Sequence, residues 1–61
     1  MNAFEQLRSD MNELIRLVRL SERYLTSIAA NPQLATDETH AKEIQRELRM
    51  AELSGRLGVT A

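Results

Sequence analysis

The fold class these 61 residues predict is an all-α, two-helix antiparallel hairpin that assembles into a dimeric four-helix bundle or a higher helical oligomer. Three observations carry that expectation. The composition is 43% apolar but only 3% aromatic, and Leu, Ala, Glu and Arg, all strong helix formers, dominate it. Two stretches of apolar residues recur at alternating steps of three and four, separated by Asn31-Pro32. The helices so defined also carry more apolar faces than one hairpin can cover, while a chain this short, with no Cys, has few other ways to stabilise itself.

The first stretch contains Phe4, Leu7, Met11, Leu14, Val18, Leu25 and Ile28, with Ser21 as the one polar interruption, and predicts a helix over about residues 3–30. Pro32 ends it, because proline lacks the N–H that a helix requires and disfavours the α conformation of the residue before it. Residues 31–36 then form a connection short enough to join antiparallel neighbours. Thr36 is the expected N-cap of the second helix, with Asp37 and Glu38 in the first turn, where the helix dipole favours negative charge. Ala41, Ile44, Leu48, Ala51 and Gly55 give that helix its stripe over about residues 37–57, and Gly58 is the expected left-handed terminator. The single domain thus spans residues 1–61. Folding one stripe on the other sets Ile28 near Ala41, Leu25 near Ile44, Ser21 near Leu48, Val18 near Ala51 and Leu14 near Gly55.

In that arrangement Phe4 and Leu7 overhang the shorter second helix. Leu17, Leu20 and Tyr24 form a flank beside the first stripe, and Met50, Leu53 and Leu57 lie opposite the second, at about 100° per residue. These eight residues are the expected self-association or partner surface, and a homodimer is the favoured assembly. The competing arrangement is a monomer whose tail, Val59 included, folds over the overhang.

Eight basic against nine acidic residues give a net charge of −1, which removes bulk charge as an argument for nucleic acid or anionic membrane. Locally, Asn12, Arg16, Arg19 and Arg23 share one face of the first helix, loosely joined by Arg8, and form a possible anion-binding stripe for phosphate, nucleotide, nucleic acid or an acidic protein. The bland reading of that face is a solvated one, with Glu13–Arg16 and Glu22–Arg19 pairs at a spacing of three. Glu38–Lys42, Glu43–Arg46 and Glu52–Arg56 are the corresponding pairs expected on the second helix.

Enzymatic chemistry is not expected. The chain has no Cys, one His and two Gly, so thiol chemistry, a Gly-x-Ser-x-Gly nucleophile and a Gly-rich phosphate loop are all missing from the sequence. Asp37-x-x-His40 with Glu43 and Glu47 echoes the spacing of di-metal helical bundles, but the first helix offers no matching carboxylate in its stripe, and no metal or cofactor is expected. The first residues lack a basic leader pattern and no apolar run is long enough for a membrane span, so a cytoplasmic protein is expected.

The outline of a helical hairpin that dimerises is similar to small plasmid RNA-binding bundle proteins and to the small hairpin co-chaperones of secretion systems. That likeness is architectural and assigns no residue a role. Together these readings predict a small non-enzymatic interaction protein, a regulator, inhibitor, adaptor or co-chaperone, with anion binding by the Arg stripe as the alternative.

Overall fold

A computed structural model describes residues 2–58 of the chain. Helix α1 spans Ala3–Ala30, a 3-10 turn spans Pro32–Leu34 and helix α2 spans Asp37–Leu57. The two helices pack as an antiparallel hairpin, and no strand occurs among the described residues.

Local backbone chemistry sets each boundary. Asn2 caps α1 by accepting the Glu5 N–H at 2.8 Å, and Asn31 closes it, its own N–H donating to the Ser27 carbonyl at 2.8 Å. The Asn31 side chain then accepts the Gln33 N–H and starts the turn around Pro32. Thr36 caps α2 through a reciprocal arrangement in which its Oγ1 accepts the Thr39 N–H and the Thr39 hydroxyl accepts the Thr36 N–H. Thr39 here fills the place usually taken by Glu or Gln. Gly58 ends α2 at φ 72°, a left-handed conformation that costs a residue with a Cβ roughly 1 kcal/mol or more. The expected Val59 contact lies outside the described residues.

The hairpin does not use the stripes that the apolar pattern favours, and this is the main correction to the sequence reading. The face of α1 turned toward α2 carries Asp10, Leu14, Leu17, Ser21, Tyr24 and Ile28, and α2 answers with Thr39, Glu43, Arg46, Met50, Leu53 and Leu57. Both are uninterrupted series of three and four, but each includes polar members. Leu53 is wholly buried, and Leu17, Tyr24, Met50 and Leu57 are half-buried, so five of the eight residues expected to face a partner instead face the other helix. Phe4, Leu7 and Leu20 remain exposed.

The expected seam shows the reverse. Phe4, Leu7, Met11, Val18, Leu25, Ile44 and Leu48 are exposed, and only Leu14 and Ile28 of that set are half-buried. The register differs too, since Ser21 meets Glu43 rather than Leu48.

Polar pairing explains the exchange. Ser21 Oγ donates to Glu43 Oε1 at 3.0 Å, Arg46 Nε donates to the same oxygen at 2.9 Å, and the Tyr24 hydroxyl lies 3.3 Å from that of Thr39. Toward the open end, Asp10 accepts from Gln6 at 2.9 Å and from Arg56 at 3.3 Å. Asp10, Ser21 and Glu43 are each buried to 7% exposure or less, a placement that costs several kcal/mol for a charge unless partners meet it. Glu43 is only half met, because its Oε2 has no partner among the described residues. Leu53 is the one apolar side chain fully buried among the described residues.

Candidate functional site

The apolar residues that the hairpin leaves out define a surface. At about 100° per residue, Phe4, Leu7, Met11, Ile15, Val18 and Leu25 fall within roughly 50° of one line along α1, about 90° around the helix from the face that meets α2. They form one broad side of the hairpin, and the depressions between them are lined by Phe4, Leu7, Met11, Ile15 and, at the open end, Leu14 and Leu57. On α2, Ile44 and the 68% exposed Leu48 lie toward its outer edge. Ile15 is the member of this surface that counting the favoured seam missed. Its signal in the sequence is a spacing of four from Met11 and three from Val18, one residue on from Leu14.

The Arg stripe occupies the back of α1. Asn12, Arg16, Arg19 and Arg23 are exposed and, with Ile15 and Leu20, line a shallow depression; Arg8 lines a neighbouring one with Glu5, Asn12 and Arg16. The ion pairs divide the eight cations evenly by helix. Lys42, Arg46, Arg49 and Arg56, all on α2, each contact a carboxylate, whereas Arg8, Arg16, Arg19 and Arg23, all on α1, contact none among the described residues. The expected Glu38–Lys42, Glu43–Arg46 and Glu52–Arg56 pairs are present. Glu13 instead makes no ion pair with Arg16 and accepts from Nε and Nη2 of Arg49, at 2.7 and 2.9 Å, and Glu22 does not pair with Arg19.

The two-donor hydrogen bond from Arg49 holds the Glu13 carboxyl below its ordinary 4.5, and the hydrogen bonds from Arg49 and then Arg56 lower Glu52 in the same way. Glu13 in turn raises Arg49 further. Both carboxylates bind a proton more weakly in the folded chain than in the unfolded one, so their contribution to stability is present above pH 4.5 and is lost as pH falls through the lowered values. Thermal melts followed by circular dichroism are expected to show a falling midpoint on acidification through that window. Arg49→Gln should flatten the fall, and an unchanged pH profile in that variant would separate the acid sensitivity from this pair.

The remaining candidate chemistry does not converge. Asp37, His40 and Glu47 are exposed while Glu43 is turned into the helix interface, and no group of three His, Asp or Glu side chains among the described residues is placed to share an ion. No helix among them is long and apolar enough to cross a membrane. Comparison with known proteins adds no relative to this picture, since no family model, curated protein or solved structure matches the chain.

Proposed function

We propose that this chain is a small non-enzymatic interaction protein, a regulator, inhibitor, adaptor or co-chaperone, that works by presenting the apolar side of α1 to another helical surface. The observation that carries the reading is the inversion of burial. Three of the four buried side chains in the described helix interface are polar, Asp10, Ser21 and Glu43, and Leu53 is the fourth, while Phe4, Leu7, Met11, Ile15, Val18 and Leu25 face water. A contiguous apolar face of this kind on a small protein marks an interaction site, and an amphipathic helix face is a standard way to hold a partner helix.

A second reading, anion binding, is favoured by one specific observation: the four cations of α1 have no carboxylate partner among the described residues. Arg is suited to bidentate contacts with phosphate, although no aromatic side chain shares the Arg16, Arg19 and Arg23 face to stack bases.

One comparison separates the two. Tagged wild type, Val18→Asp and the double variant Arg19→Glu/Arg23→Glu are recovered from the native host at low salt. The first reading expects Val18→Asp to lose the copies or proteins that the wild type retains, and the double variant to keep them. Equal retention by wild type and Val18→Asp would remove it. The second expects nucleic acid or nucleotide in the wild type and not in the double variant. Absorbance at 260 nm reads that directly, because one Tyr and no Trp leave the protein itself almost transparent in this range.

A further inference from the structure

We propose that the apolar side of α1 is the seat of a second copy of this chain, laid antiparallel to the first about a two-fold axis passing close to Leu14 and Ile15. The inference rests on the interaction reading above and narrows it to one occupant and one orientation.

The exposed area is the first argument. The hairpin exposes 4869 Å², whereas a compact folded monomer of its mass exposes about 4,000 Å². Its radius of gyration is 13.7 Å against roughly 10.5 Å for a compact domain of this length. The excess area, of order 900 Å², is close to the ~800 Å² per partner that a standard stable interface buries. One further hairpin is thus enough to account for it.

Self-complementarity is the second argument. A two-fold interface places the same patch on both subunits, so the patch must match itself when reversed. The stripe does so. With the chain direction reversed about Leu14 and Ile15, Phe4 falls level with the partner's Leu25, and Met11 falls level with the partner's Val18.

Charge decides the orientation. Continuing the alternation of four and three from Phe4 gives Arg8, Met11, Ile15, Val18, Glu22 and Leu25, so the line contains one cation and one anion, each seven residues from Ile15. Antiparallel copies in that register bring Arg8 to within one residue, about 1.5 Å of helix rise, of the level of the partner's Glu22, and symmetry repeats the pair. Parallel copies in register bring Arg8 against Arg8 and Glu22 against Glu22, which is repulsive at both levels. Neither residue is committed elsewhere, since neither contacts an opposite charge among the described residues. Arg8 is also held along this line, with its guanidinium 5.4 Å from the centre of the Phe4 ring.

Two measurements on the full chain test the proposal. Sedimentation equilibrium is expected to give the mass of two chains, with Arg8→Glu and Glu22→Arg each weakening the dimer about tenfold and the double exchange restoring it. Because the chain has no Cys, R8C and E22C can also be mixed and oxidised, and the crossed product is expected to dominate over either self-linked one. Both positions are exposed in the hairpin, so the substitutions leave its own packing alone.

Dominant R8C self-linkage would establish parallel pairing and overturn the orientation while leaving the interaction reading intact. A single-chain mass for the wild type in the millimolar range would overturn the second copy as occupant. The retention experiment with Val18→Asp then decides separately whether the face serves another protein.

Discussion

Replacing Leu53 by alanine is expected to abolish most of the helicity of the chain at room temperature. Among the described residues Leu53 is the one apolar side chain with no exposed surface, and it sits between Arg49 and Arg56, whose bonds to Glu13 and Asp10 fix the open half of the hairpin. Truncating a fully buried leucine costs about 2–5 kcal/mol, the sum of lost transfer energy and the cavity left behind. A single core in a chain of this size rarely supplies more than roughly 3–5 kcal/mol, so the loss consumes most of what there is. Leu48→Ala is the control. At 68% exposure on the outer edge of α2, it is expected to change stability by no more than about 0.5 kcal/mol. Urea unfolding of both variants at one fixed protein concentration checks the pair, and equal effects would place the core elsewhere.

The second large effect changes sign with the residue chosen. Arg46→Ala leaves the Glu43 carboxylate buried with only Ser21 to meet it, and breaking a buried pair from one side is worth about 3 kcal/mol of stability. Glu43→Met removes the buried charge itself, together with the Oε2 that finds no partner, and is expected to be neutral or stabilising by about 1–2 kcal/mol. Arg46 tolerates that loss because part of it reaches solvent and its guanidinium also lies 5.6 Å from the Tyr24 ring. Opposite signs in denaturant midpoints identify the charge as the costly element of the interior. Two losses of similar size would show instead that the hydrogen-bonded cluster is a net source of stability.

The element boundaries were legible because local chemistry sets them. Asn31-Pro32 stops one helix whatever surrounds it, Thr36 opens the next, and Gly58 closes it in a conformation that suits glycine. The inward face was not legible in the same way. Helix α1 carries two three-four series that share Leu14, Ser21 and Ile28, and a count of apolar members favours the one running through Phe4, Met11, Val18 and Leu25. The series through Asp10 and Tyr24 turns inward where Arg56 and Thr39, 46 and 15 residues away along the chain, supply partners for it, and the shared Ser21 meets Glu43. Periodicity within one helix holds no information about such pairs. The Arg stripe shows the same division: the helical wheel placed Arg16, Arg19 and Arg23 together, but not that Glu13 would leave Arg16 for a two-donor contact with Arg49.

The tight connection between the helices also orders events in time. Asn31 to Thr36 closes the hairpin in six residues, with a cap at each side and a proline-initiated turn between them. Helical topologies built from such short closures fold in microseconds to milliseconds. Two proteins at micromolar concentration meet productively only about once per 0.1–10 s, given association rate constants of roughly 10⁵–10⁷ per molar per second. The hairpin therefore closes on a much faster timescale than any such encounter, and until one occurs Phe4, Met11, Val18 and Leu25 face water. If α1 takes a partner as proposed, the stripe is open during that delay to whichever helix arrives first, and local abundance as well as fit would decide the pairing.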